Sequence, residues 1–198
     1  MNYLAHACLS FQHPDILEGN MISDFVKGKK QFDYSPGIHN GIVLHRAIDN
    51  FTDMHAATKE LKEYFRADYR LYAAPLVDIV YDYFLANDSR EFASSTELKE
   101  FTDLTYISLE KRLEVLPSAF QHIFPHMKEH DWLYNYRYKK GIERSFRGLV
   151  RRATYLSESG KAFSIFDKYS EQMRPVYESF FPEVKIFALQ TLQELLKR

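Results

Sequence analysis

Leu76-Val77-Asp78-Ile79-Val80-Tyr81-Asp82-Tyr83-Phe84-Leu85 carries charge at two positions only. The rest of the run is apolar or aromatic nearly all round a helical circumference. A helix without a polar face is a buried one. Burial on every side needs other helices to cover it, so this stretch points to an all-α protein. The flanking sequence agrees. Only 7 glycines and 7 prolines occur in 198 residues, which suits long helices better than many tight turns. Alternating strand patterns are short and scarce. The expected helices cover residues 2–11, 15–28, 36–50, 53–65, 70–87, 96–116, 118–127, 132–157, 160–180 and 182–197. Asp15, Thr52 or Asp53, and Ser94 or Ser95 are candidate caps, and Gly28 and Pro117 candidate stops. No repeat, low-complexity tract or linker divides residues 1–198, so a single-domain multi-helix bundle is expected.

The two charges in the opening stretch are its informative part. Asp78 and Asp82 stand at i and i+4 and share a face with Leu71, Ala74 and Leu85. Buried without a partner, each carboxylate would cost several kcal/mol or take up a proton. A bound cation resolves this most directly, and an Arg from another helix is the plainer alternative. A second stripe repeats the pattern. Ile38, Ile42, His45 and Asp49 step by four, three and four residues, so an apolar stripe turns into a His/Asp stripe. Asp53 and His55 follow at once. His6 is the only titratable group in the apolar run from Leu4 to Leu9, and Asp24 lies between apolar neighbours in Met21-Ile22-Ser23-Asp24-Phe25-Val26. Each taken singly reads as well as a core histidine, an N-cap or an ion pair with Lys27 or Arg46. Together, four separate helices each place a His or Asp where periodicity puts the core. Nitrogen and oxygen ligands without cysteine suit Mn²⁺, Mg²⁺, Fe²⁺ or Zn²⁺. Arg46 with Lys27, Lys29 and Lys30 nearby favours a phosphate substrate.

Composition excludes several other classes. The lone Cys8 cannot form an internal disulfide, so a reducing, cytoplasmic setting is expected. No apolar run approaches the roughly 20 residues that span a bilayer. The net charge of −1 argues against a general nucleic-acid binder. That total hides a split: residues 1–100 hold 10 basic and 15 acidic side chains, residues 101–198 hold 16 and 12. Much of the second-half excess lies in Arg137, Lys139, Lys140, Arg144, Arg147, Arg151 and Arg152, against the single acid Glu143. Lys140, Arg144, Arg147 and Arg151 form one helical stripe. Like charges at this spacing repel, so the stripe fits an acidic partner. His122, His126 and His130 also share a face, but among Gln121, Lys128, Glu129 and Asp131 they read as a solvated one.

Several of these pieces resemble the acyl carrier protein phosphodiesterase family. They are Met1-Asn2-Tyr3-Leu4-Ala5-His6, Gly19-Asn20 through Asp24-Phe25-Val26-Lys27-Gly28, and Leu44-His45-Arg46-Ala47-Ile48-Asp49. Thr52-Asp53, Asp78 to Leu85, and Trp132-Leu133 with Tyr136 and Arg137 extend the likeness. The resemblance implies an all-helical, HD-type phosphohydrolase core that uses a divalent cation, typically Mn²⁺. It implies hydrolysis of the phosphodiester between 4′-phosphopantetheine and a serine of holo acyl carrier protein. The metal set would be His6, Asp24, His45, Asp49, Asp78 and Asp82, with Arg46 on the phosphate and Asp53 as a further catalytic carboxylate. The acidic carrier protein would meet Arg137, Lys140, Arg144, Arg147 and Arg151. Where HD enzymes have adjacent His-Asp, this chain has His45-Arg46, with Asp49 one turn on. Two other readings stay open at this point: the same chemistry on a small nucleotide, and a non-catalytic helical binding protein. Oligomeric state is not legible.

Overall fold

The computed structural model describes residues 1–153 and 160–197. Among these residues there is no strand. The α-helices are α1 (Tyr3–Cys8), α2 (Pro14–Ile22), α3 (Pro36–Met54), α4 (Ala56–Tyr69), α5 (Ala73–Ala86), α6 (Ser95–Glu110), α7 (Ser118–Glu129), α8 (Trp132–Asn135), α9 (Lys139–Arg152) and α10 (Gly160–Leu196). The all-α expectation holds. Among the described residues no helix is long and apolar enough to cross a membrane.

The opening stretch lies in α5, and it is buried as its composition demands. Leu76, Val77, Val80, Tyr81, Phe84 and Leu85 have no exposed surface. Helices α1, α4, α9 and α10 pack around it. Each such side chain removed from water stabilises the fold by roughly 1.5–3 kcal/mol. The longest cover is α10, which presents Phe166, Met173, Tyr177, Phe180, Val184 and Ala188 on one buried stripe. The Phe180 ring stacks on Tyr81 at 4.6 Å.

Helix ends differ from expectation where tertiary contacts outweigh local signals. Two helices were expected at 160–180 and 182–197, yet α10 runs unbroken through Pro175 and Pro182. The buried stripe continues across Pro182 from Phe181 to Val184, and its packing offsets a proline cost of about 3 kcal/mol. The helix expected at 132–157 is two pieces, and its residues 154–157 lie outside the described residues. The break comes at Asn135. Its carbonyl lies where a Cβ on Gly141 would stand, 1.9 Å away, so α9 passes this point because residue 141 is glycine. Helix α6 stops at Glu110 rather than 116; a 3₁₀ turn, Leu113–Val115, follows, and Leu116 is extended, as a residue before proline tends to be. Helix α3 runs on through Thr52, whose hydroxyl donates to the Ile48 carbonyl, and the cap of α4 is His55, which accepts from Ala57 N–H. Asp15 is in the first turn of α2 rather than at its cap, and α2 ends at Ile22 instead of Gly28. A 3₁₀ turn, Ser23–Phe25, then swings Asp24 back toward α3.

Helices α2 and α3 are the most intimate pair. A Cβ added at Gly19 would meet the Ile38 carbonyl at 2.0 Å, and one at Gly41 would meet the Ile16 carbonyl at 2.4 Å. The two backbones touch because neither residue has a side chain. Gly148, on α9, is the opposite case, with nothing within 4 Å of an added Cβ. Helix propensity alone favours alanine by about 1 kcal/mol at both sites. Gly148→Ala should therefore raise stability by up to about 1 kcal/mol. Gly41→Ala should lower it by about 2 kcal/mol, because overpacking wins there. Urea unfolding of the two variants checks the opposite signs.

Candidate metal centre

The close approach of α2 to α3 brings Asn20 against two histidines. Its amide Nδ2 donates to the His6 carbonyl at 2.9 Å and to the Ser10 hydroxyl at 3.1 Å. The amide oxygen therefore faces His6 Nδ1, at 2.8 Å, and that nitrogen is the donor. The backbone carbonyl of the same Asn20 accepts from His45 Nδ1 at 2.7 Å. A carbonyl can only accept, so His45 also carries its hydrogen on Nδ1. One residue thus sets both tautomers and aims both Nε2 atoms the same way. The rings stack at 3.9 Å, nearly parallel.

Both Nε2 atoms are buried and lack a hydrogen-bond partner. They converge on Asp49. His6 Nε2 is 3.2 Å from Asp49 Oδ1, and His45 Nε2 is 3.0 Å from Asp49 Oδ2. A second carboxylate, Asp24 Oδ1, stands 3.3 Å from His45 Nε2. Lone pairs facing carboxylate oxygens repel unless a positive charge lies between them. A proton or a metal ion can fill that role. Separations near 3 Å match neighbouring ligands on one divalent ion with bonds of about 2.1 Å. A carbonyl that accepts from Nδ1 is also how metal-ligating histidines are commonly held. His6, His45 and Asp49 therefore form a group that can hold a divalent metal.

The remaining expected residues divide. Asp78 joins the cluster through a positive charge: the Met1 α-ammonium lies 3.3 Å from Asp49 Oδ1 and 3.0 Å from Asp78 Oδ1. Asp82 does something else. Its two oxygens accept from Leu4 N–H at 2.8 Å and Ala5 N–H at 3.2 Å, so it clamps the start of α1 and with it His6. Asp53 is exposed, one turn beyond Asp49 on the same face of α3. Arg46 is exposed too, and donates to the Val26 carbonyl at 2.9 Å and to Gln31 at 2.7 Å. It ties down the lysine-bearing segment that follows Asp24. Asn20 stands in the Gly19-Asn20 piece of the family resemblance, but sequence reading gave it no role; the further signal was a polar residue within the apolar run Gly19-Asn20-Met21-Ile22. His126, Glu129 and His130 form a second group with ligand spacing, but all three are exposed to water.

Charge sets the protonation of the cluster. Burial and the neighbouring His45 pull His6 down to about 4. Burial also opposes charge on His45, yet Asp24 and Asp49 outweigh it and lift that ring to about 9. Burial opposes the Asp49 charge as well, and both histidines still hold it well below the usual carboxylate range. Asp82 is pushed up to about 7 by burial, against the two N–H donors of α1.

Along α9, Ile142, Phe146 and Val150 are buried, which turns Lys140, Arg144, Arg147 and Arg151 to solvent. Arg147 pairs with Glu143 at 3.0 Å. Arg137 lies over the Tyr134 and Tyr138 rings, 5.2 Å from each. Lys140, Arg144 and Arg151 have no ion-pair partner among the described residues.

A helical bundle that gathers two tautomer-locked histidines on a shared carboxylate has the make-up of a metal-binding protein. Comparison with known proteins places it more closely. The family model described as acyl carrier protein phosphodiesterase matches residues 1–184, and the chain belongs to that family. This makes it a hydrolase acting on a phosphodiester bond. A relative named acyl carrier protein phosphodiesterase from Yersinia enterocolitica is 30% identical over 92% of this chain and 94% of its own length. One of the same name from Klebsiella pneumoniae is 30% identical over 93% and 95%. A third, from Serratia proteamaculans, is 28% identical over 93% and 95%. No solved structure matches the chain.

Two outcomes follow for ion binding. Asn20→Leu keeps side-chain bulk but frees the His6 ring, and should weaken binding of a divalent cation about 10- to 100-fold in a calorimetric titration. In the ion-free protein the His45 proton stabilises the fold below pH 6.5, and this contribution fades as pH rises through about 9. A metal ion has to displace that proton. Apparent affinity for a divalent cation should therefore climb about tenfold per pH unit between pH 7 and 8.5. A flat profile would show that His45 is already neutral.

Proposed function

We propose that the protein is a divalent-metal-dependent phosphodiesterase acting on holo acyl carrier protein, with Mn²⁺ the expected ion and Mg²⁺ or Fe²⁺ as alternatives. The products are apo acyl carrier protein and 4′-phosphopantetheine. The observation that carries this reading is the pair of buried, partnerless Nε2 atoms aimed at Asp49. The names of the relatives supply the substrate class.

His6, His45 and Asp49 hold the ion, with Asp24 and Asp78 beside them. Asp82 serves the same set by anchoring α1. When bound, the ion supplies a nucleophilic water at neutral pH and Lewis acidity at the phosphoryl group. Asp53, exposed one turn beyond Asp49, takes up the proton that the attacking water gives up, and the departing serine oxygen takes its proton from solvent. Arg46 uses two of its five N–H donors on the Val26 carbonyl and Gln31, and the others are free for a phosphate oxygen. The solvent face of α9 and Arg137 receive the acidic carrier protein. The reading places the protein in the cytoplasm, which suits the single free Cys8, with no membrane or nucleic-acid partner.

Incubation with holo acyl carrier protein and Mn²⁺, followed by intact mass, should show loss of the phosphopantetheine group. His45→Ala should lose this turnover by at least 100-fold while helical circular dichroism persists. Turnover near the wild-type rate in that variant would remove the metal assignment. Replacing Arg144 and Arg147 together by Glu should raise KM for the carrier protein about tenfold or more with little change in kcat. It should also flatten the dependence of KM on ionic strength.

A further inference from the structure

A groove of about 550 Å³ runs between α9 and the N-terminal segment. Its size is that of a small-molecule site. The walls are of two kinds. Tyr3, Ile79, Trp132 and Tyr136 give it apolar and aromatic sides, and Asn2, Asn135 and Ser145 place amide and hydroxyl groups among them. Arg144, Arg147, Arg151 and Arg152 of α9 line its basic side.

One end of the groove lies beside the metal centre. Asn2 and Tyr3 follow directly on Met1, whose ammonium contacts Asp49 and Asp78, and Ile79 follows Asp78 on α5. The Tyr3 phenol feels the charge of Asp24 from the cluster and that of Arg152 from α9. None of His6, Asp24, His45, Asp49 or Asp78 lines the groove, but the residues that adjoin Met1 and Asp78 in the chain form the wall opposite the basic face.

We propose that this groove receives the extended, uncharged, amide-bearing arm attached to the scissile phosphate, the pantetheine portion of the substrate, with the acidic carrier protein lying over the α9 guanidinium groups. This rests on the reading of the site as a phosphodiesterase for phosphopantetheine. The apolar walls match the hydrocarbon parts of such an arm, and the scattered amides and hydroxyl match its peptide-like groups. A neutral arm leaves the guanidinium charges for the acidic protein that carries it.

Gly148 allows a test. It lines the groove, and a Cβ there meets nothing within 4 Å, so a large side chain can grow into the groove without disturbing the helix. Gly160 is also open but does not line the groove, and provides the matched control. Binding of free pantetheine to the full-length, metal-free chain is read by ligand-observed NMR, with circular dichroism as the check on folding. Wild type and Gly160→Trp should bind with the same Kd, and Gly148→Trp at least tenfold more weakly. Failure of wild type to bind pantetheine, or equal binding by Gly148→Trp, overturns the proposal. Pantetheine binding that Gly148→Trp abolishes supports the groove assignment, even if wild type with Mn²⁺ leaves holo acyl carrier protein intact. That second result counts against the proposed reaction and not against the groove.

Discussion

The contact of Gly19 with Gly41 is the constraint on which the rest of the centre depends. With no Cβ on either residue, the α2 and α3 backbones meet at van der Waals distance. Only then can a main-chain carbonyl of α2, that of Asn20, reach a side chain of α3, the imidazole of His45. The Asn20 amide turns the other way and takes His6. A separation larger by one methyl group would break the first of these bonds, and the two rings would lose their common aim. A packing requirement between two helices thus becomes a statement about which ring nitrogens carry hydrogen.

Electrostatics then explains how so many ionisable groups share a small volume. Asp49 is the hub, in contact with His6, His45 and the Met1 ammonium. Asp82 is buried completely and is satisfied by the first free N–H groups of α1, the end of a helix where a negative charge is favoured. The partners leave one gap, the space between the two Nε2 atoms and a carboxylate. The acid excess of residues 1–100 is largely this arrangement, and part of the basic excess of residues 101–198 is the solvent face of α9.

Much of this was legible in particular residues. The stripe Ile38, Ile42, His45, Asp49 predicted that His45 and Asp49 share a face, and they meet at 3.0 Å. The apolar run around Asp78 and Asp82 predicted burial of α5. Helix ends were less legible. Pro182 reads as a helix start when only its neighbours are seen, because the stripe that carries α10 across it packs on helices distant in sequence. Asp78 and Asp82 look equivalent at i and i+4, yet one faces the cluster and the other clamps α1. Asn20 was passed over because its importance lies in what it touches, and three of its partners are ten or more residues away.

The sequence by itself determined the helical class, the burial of α5, the His/Asp stripe of α3 and the basic stripe of α9. These follow from periodicity, which is local and repeats every 3.6 residues. Tertiary structure alone decided the partners of Asp49, Asp78 and Asp82, the tautomers of His6 and His45, the continuity of α10 and the groove beneath α9. Those depend on distances between segments far apart in the chain, and a hydrogen bond is made or lost within a few tenths of an ångström.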